Sequence, residues 1–112
     1  MGCVFCEIVK GNLNSDKIYE DEEILVFKDL EPQAPVHFLI IPKKHIGSVL
    51  ELSEEDSKIV SKIFYRIKKI AEQLDLKDGF RVVNNCGEDG GQSVPHIHFH
   101  VLGKRKMNWP PG

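Results

Sequence analysis

His96-Ile97-His98-Phe99-His100-Val101-Leu102 decides the reading of this chain. Three histidines occupy alternate positions in an otherwise apolar run. In a β-strand, alternate side chains share a face, so the imidazoles are expected in one row, with Ile97, Phe99 and Val101 on the opposite face. Neighbours in such a row stand ~6.6 Å apart and the outer two ~13 Å apart. One metal ion cannot take all three, because Zn–N bonds are only ~2 Å long. The row suits nucleophilic or proton-transfer work near neutral pH, where imidazole titrates without perturbation. A lone histidine on a strand is usually a hydrogen-bonded structural residue, but three in register are harder to explain that way. The chain has five histidines, and the other two, His37 and His45, fall on or beside one expected strand.

Outward from this run, composition narrows the class. The 112 residues suit one domain, 1–112, with a C-terminal tail at 103–112. Hydrophobic residues make up 41% and charged residues 29%, as in ordinary soluble domains. The net charge of −2, with no basic run, argues against a nucleic-acid partner. The longest apolar run, Phe38 to Ile41, is too short to span a bilayer, so no membrane partner is expected. No apolar signal region stands at the N-terminus, and the cytoplasm is the expected location.

The elements follow from periodicity and punctuation. Phe5–Lys10 reads as a short helix stopped by Gly11. Lys17–Glu20, Ile24–Lys28, Val36–Ile41 and Phe80–Asn84 read as strands, and the histidine run as another. Ser53 with the acidic residues after it starts a long helix reaching about Leu74. Its stripe of Ile59, Val60, Ile63, Phe64, Ile67, Ile70, Ala71 and Leu74 has the 3.6-residue period of a core-facing helix. The expected class is α+β: an antiparallel sheet with the long helix and the short N-terminal helix packed on it, both on one face.

Several residues carry chemistry. Asn85-Cys86-Gly87-Glu88-Asp89-Gly90-Gly91-Gln92-Ser93 feeds directly into the histidine row. Glycines let backbone N–H groups approach an oxyanion, and Gln92 and Ser93 add side-chain donors. Beside histidines, such a loop points to phosphorus chemistry. Cys3-Val4-Phe5-Cys6 offers two thiolates at zinc-binding spacing, which is half a site. The alternative, a redox pair, wants a thioredoxin-like βαβ context that is absent.

Taken together, Gly91–Leu102 with its His-x-His-x-His-apolar-apolar pattern, Pro32–Ile46 with its Pro-Lys-Lys-His block, and the ending Trp109-Pro110-Pro111-Gly112 resemble the histidine triad superfamily, in its nucleotide-binding branch. The resemblance covers essentially the whole chain and implies the histidine triad fold. It implies that His98 attacks the α-phosphorus of a purine nucleoside phosphoramidate or acyl nucleotide, giving a nucleotidyl-histidine that water cleaves. His100 would contact the phosphate and help protonate the leaving amine, with His37 supporting it across the sheet. Asn85, Gln92 and Ser93 would hold phosphate oxygens, and Asp29 would accept from the ribose hydroxyls. Phe5, Ile8, Leu13, Phe27 and Leu30 would form the base slot. Cys3, Cys6, His45 and His96 would hold structural zinc, with no catalytic metal required. A homodimer is implied, its sheet continued from one subunit to the next; the large ring of Trp109 in a stiff tail points the same way.

Pro95 and Asn108 depart from the branch pattern, and the Asn108 change bears on leaving-group preference. Three other functions compete. A nucleotide-binding scaffold with vestigial hydrolysis would not need His37, His98, His100, Asn85 and Ser93 together. A dinucleoside polyphosphate hydrolase is disfavoured by the tail and the Pro-Lys-Lys-His block. A zinc-dependent hydrolase would need an open coordination position, and four protein ligands leave none.

Overall fold

The uninterrupted apolar runs Ile24-Leu25-Val26-Phe27 and Phe38-Leu39-Ile40-Ile41 shape the architecture, because a strand without polar alternation is buried on both faces. The computed structural model describes residues 2–112. Five strands form one antiparallel sheet: β1 (Lys17–Glu20), β2 (Ile24–Lys28), β3 (Val36–Pro42), β4 (Phe80–Val83) and β5 (Phe99–Gly103), in the order β1-β2-β3-β5-β4. A seven-residue helix, α1 (Val4–Lys10), precedes them, and a seventeen-residue helix, α2 (Ser57–Gln73), joins β3 to β4.

The two helices lie on opposite faces of the sheet, contrary to the one-face expectation. Ile24, Val26, Phe38, Ile40, Phe99 and Val101 pack with Ile63, Ile67 and Ile70 of α2. Leu25, Phe27, Leu39 and Ile41 pack with Phe5 and Ile8 of α1. The alternate residues of β2 and β3 therefore serve two separate cores, and each needs its own cover. Ile97, Phe99 and Val101 belong to the α2 side, so the histidines are on the α1 side.

The register sets this. Leu39 pairs with His100 and His37 with Leu102, while β4 places Val83 opposite His100. The ladder ends earlier than the sequence suggests: β5 starts at Phe99, and His96-Ile97-His98 runs ahead of it as irregular chain. Beyond the Ile40–Phe99 pair, β3 reaches Pro42, which has no N–H to donate. Its carbonyl is taken instead by the His96 ring, at 2.8 Å. β4 likewise stops at Val83, and the Asn84 side chain donates to the His98 carbonyl at 2.8 Å.

α1 ends at Gly11 as expected, whereas α2 starts later than a Ser53 cap implies, at Ser57, with Asp56 as its N-cap and no side-chain capping bond. Gly11 adopts φ +85° and receives α1 in the left-handed conformation that glycine tolerates. Ser53 Oγ accepts from Asp56 N at 3.0 Å, closing a turn that leads into α2. On α2 the stripe is narrower than its periodicity implies. Ile63, Ile67, Ile70 and Ala71 are buried, whereas Phe64 is 48% exposed and Leu74 36%. Phe64 touches the Phe99 ring edge-on at 5.6 Å yet faces outward, as do Tyr65 and, on the edge strand β4, Phe80. No helix among the described residues is long and apolar enough to cross a membrane.

Candidate active site and metal cluster

Backbone groups fix the proton on each buried imidazole. The His98 ring is buried, and its Nδ1 lies 2.7 Å from the His96 carbonyl oxygen. A carbonyl only accepts, so Nδ1 carries the proton and Nε2 keeps its lone pair. His37 is arranged in the opposite sense. The Gln33 backbone N–H donates to its Nδ1 at 3.0 Å, so the neutral ring carries its proton on Nε2. That proton faces His100 Nδ1 at 2.9 Å. His100 therefore accepts at Nδ1 and bears its own proton on Nε2. His98 and His100 sit edge to face, ring centres 5.2 Å apart. One ring presents a nucleophilic lone pair and its neighbour an N–H donor.

Burial pushes His37 below the ordinary imidazole value, with Asp29 pulling the other way. His100 is lowered too, first by burial and then by the positive charge that His98 and His37 would carry. Both are neutral at physiological pH. Asp29 stands beside them: its Oδ2 is 3.3 Å from His37 Nε2 and 3.8 Å from His100 Nδ1, and its Oδ1 accepts from Glu31 N at 2.8 Å. The carboxylate expected at the ribose thus stands at ion-pair distance from both rings, while the His37 proton goes to His100.

A cleft of about 340 Å³ opens in front of these groups. Phe5, Ile8, Phe27 and Leu39 form its apolar wall, Asp29 and Leu30 its rim, and Ser93, His98 and His100 its polar end. Leu30 is almost fully exposed. Leu13 departs from expectation: it is 45% exposed and does not line the cleft, where Asn14 and Ser15 stand instead. Neither carries a sequence signal, and the Ser15 hydroxyl is buried without a partner.

The glycine loop is held to the segment that follows β3. Gln92 Nε2 donates to the carbonyls of Gly47 at 2.7 Å and Val94 at 2.9 Å, and its Oε1 accepts from Gly87 N at 2.9 Å. All of its amide donors are used, so Gln92 shapes the loop rather than facing a phosphate. Gly90 is required by close approach, since a Cβ there would lie 2.4 Å from the Cys86 carbonyl oxygen. The Cys86 thiol is held below its usual value, first by the Ser48 hydroxyl and then by N–H groups of Leu50 and Val49. Ser93 lines the cleft, and Asn85 is half-buried on the same loop.

Two clusters bring metal-ligating atoms within 4.8 Å of one another: Cys3, Cys6, His45 and His96, and Asp29, His37 and His100. Their surroundings separate them. In the first, Cys3 Sγ lies 3.3 Å from His96 Nδ1, Cys6 Sγ 3.2 Å from His45 Nδ1 and 3.6 Å from His96 Nδ1. A tetrahedral zinc with Zn–S near 2.3 Å and Zn–N near 2.05 Å has S–N edges of roughly 3.5 Å. The His96 Nε2 proton goes to the Pro42 carbonyl, which leaves Nδ1 free to ligate; second-sphere bonds of this kind are typical of metal-bound histidine. Burial pushes the Cys6 thiol up, as does neighbouring Cys3, and a bound cation would reverse this by favouring thiolate. These residues fit structural zinc. In the second cluster the Gln33 N–H occupies His37 Nδ1 and forces the Nε2 proton that a metal would have to displace. Its two rings are instead joined directly by the His37–His100 hydrogen bond.

A family model described as "Scavenger mRNA decapping enzyme C-term binding" matches residues 2–109. A "14 kDa zinc-binding protein" from Zea mays is 48% identical over 111 residues, covering 97% of this chain and 87% of that protein. The chain belongs to the histidine triad superfamily. Within it, the cysteine–histidine cluster places the chain in the zinc-binding branch. A solved histidine triad family hydrolase from Legionella pneumophila superposes with a TM-score of 0.97 at 46% identity, covering 99% of this chain and 100% of that one. A histidine triad protein from Clostridium difficile gives 0.93 at 47% identity, covering 96% of this chain and 95% of that one.

Three contributors to this histidine triad site carry no side-chain signal at their own positions: the Gln33 N–H and the Pro42 and His96 carbonyls are backbone groups. Asn84 could have been noticed as the polar residue closing a strand.

The depressed histidines predict a pH dependence of stability. Between their folded values and the unfolded value near ~6.5, the unfolded chain binds protons that the folded chain does not. Stability should be complete above about pH 6.5 and fall as pH drops through the folded values. The carboxylates held low by their partners, such as Glu20 and Asp56, first by the ammonium groups of Lys43 and Lys44, act below about pH 5. Urea midpoints should therefore decline from pH 7 to 5.5, and less steeply in His37→Gln/His100→Gln. A flat wild-type profile, or an unchanged slope in the variant, contradicts the assignment.

Proposed function

We propose that this histidine triad protein is a hydrolase that cleaves purine nucleoside phosphoramidates or acyl nucleotides at the α-phosphorus, through a covalent nucleotidyl-His98. The observation that carries the reading is the His98 Nδ1 contact to the His96 carbonyl, with Nε2 left unprotonated beside the His100 donor in an apolar-walled cleft. The related solved structures described as hydrolases support it.

In the first step the His98 Nε2 lone pair forms a bond to phosphorus while the bond to the leaving amine or acyl oxygen breaks. The leaving group departs with its electron pair; a leaving amine takes the His100 Nε2 proton, and the positive charge on the nucleotidyl-His98 ring offsets the deprotonated His100 until the second step restores it. In the second step water attacks phosphorus, the bond to His98 breaks, and the water's proton returns through His100. His37 and Asp29 keep His100 in the tautomer that points an N–H at the phosphate. The Ser93 hydroxyl and the loop around Asn85 hold phosphate oxygens, and Phe5, Ile8 and Phe27 sandwich the purine. Zinc at Cys3, Cys6, His45 and His96 would tie α1 to the chain ahead of β5 and contribute to folding.

Adenosine and guanosine phosphoramidates and acyl nucleotides, compared by kcat/KM, test the reading. Wild type should turn over members of the panel, and His98→Ala should lose at least about a thousandfold while still binding AMP. Wild-type inactivity on every member would leave a binding module instead. Asp29→Ala should weaken ribonucleotides by roughly 1.5–3 kcal/mol and their 2′-deoxy analogues less. Equal losses would remove Asp29 from the ribose.

A homodimer is part of the same reading. The exposed rings of Phe64, Tyr65 and Phe80 accompany the open edge of β4, and an unpaired strand edge beside apolar surface favours pairing with a second copy. Trp109, 82% exposed, is available to reach a partner subunit. Sedimentation at micromolar concentration should give the dimer mass, and Phe80→Lys should shift it toward monomer. A wild-type monomer with full activity contradicts this.

A further inference from the structure

The cysteine–histidine cluster and the cleft have no residue in common, yet they are joined through α1 and through the His96 peptide group. The seven-residue α1 is far below the length at which an isolated helix holds itself together. Its position depends on what tethers it. Cys3 caps it, accepting from Cys6 N at 3.4 Å, and both thiols face the His96 ring. Between them, Phe5 turns toward the cleft. Its ring meets His98 edge to face at 5.1 Å and 84°, and Phe27 at 5.6 Å.

His96 acts at both places. Its ring offers Nδ1 to the cluster, while its carbonyl receives the His98 Nδ1 proton at 2.7 Å. Its ring is completely buried and is also anchored to the Pro42 carbonyl. A displacement of the ring would move the peptide group that fixes the orientation of the nucleophile. The wall contributed by Phe5 and the angle of His98 are therefore set by the same four side chains.

We propose that Cys3, Cys6, His45 and His96 form a positioning unit for the nucleotide cleft, so that zinc and a purine nucleoside monophosphate bind cooperatively, each strengthening the other through Phe5 and the His96 peptide. This rests on the nucleotide reading above. Linkage requires the effect to be reciprocal, and couplings between sites typically reach 5- to 150-fold.

AMP affinity of the zinc-loaded and zinc-stripped protein, and zinc affinity by chelator competition with and without saturating AMP, measure it. The expected result is AMP binding at least about fivefold weaker in the stripped protein, and zinc held tighter by the same factor when AMP is present. Phe5→Ala keeps all four ligands and should bind zinc, but the strengthening by AMP should shrink to the part carried by the His96 peptide. This variant separates coupling through α1 from a stripped protein that merely unfolds, because coupling through global folding would persist in it. AMP binding of equal strength with and without zinc overturns the linkage alone. Undiminished coupling in Phe5→Ala overturns the route through α1. Failure of AMP to bind the loaded protein overturns the nucleotide reading and the linkage with it.

Discussion

The pairing of β3 with β5 is the constraint on which the rest depends. Leu39 stands opposite His100 and His37 opposite Leu102, so the two rings of the proton relay meet across one strand boundary. Side chains alternate with a period of two, so a slip of one residue would turn His100 toward α2 and bury it among Phe38, Ile40 and Ile63. Burying the His100 imidazole in that apolar core, away from its His37 partner, opposes such a slip. The stability of two cores thus holds the register of the histidines.

Five histidines of one residue type take up different roles because the backbone around them differs. A carbonyl opposite Nδ1 of His98 leaves a nucleophilic Nε2. A carbonyl opposite Nε2 of His96 leaves a ligating Nδ1. An amide N–H opposite Nδ1 of His37 sends a proton toward His100. Each of these three tautomers follows from where the chain places a peptide group beside the ring. Because β5 starts only at Phe99, the His96 carbonyl lies outside the ladder and is taken by the His98 ring.

Much of this was legible in the sequence. The strand boundaries at Lys17, Ile24, Val36 and Phe80, the Gly11 stop and the helical stripe through Ile63 and Ile70 all follow from periodicity and turn residues. The alternation of His96, His98 and His100 located the site. The placement of the helices was misread, although the unbroken run Phe38–Ile41 already signalled a strand covered on both sides. Gln92 looked like a phosphate donor because its type and position fit, but its amide satisfies loop carbonyls that no sequence pattern identifies. Leu13 was assigned to the base slot by resemblance, and the turn before β1 carries it outward. Phe64 continues the core-like stripe by periodicity, but it stands at the edge of the α2 contact and stays half-exposed.

The central claim is that backbone hydrogen bonds hold His98 as a nucleophile and His100 as a donor. Nitrogen-15 NMR of the imidazoles in the zinc-loaded protein at neutral pH tests it most directly, because the two ring nitrogens report their protonation separately. The structure requires His98 to carry its proton on Nδ1, and His37, His96 and His100 to carry theirs on Nε2. A His98 ring protonated on Nε2 would have no lone pair to offer phosphorus and would contradict the account.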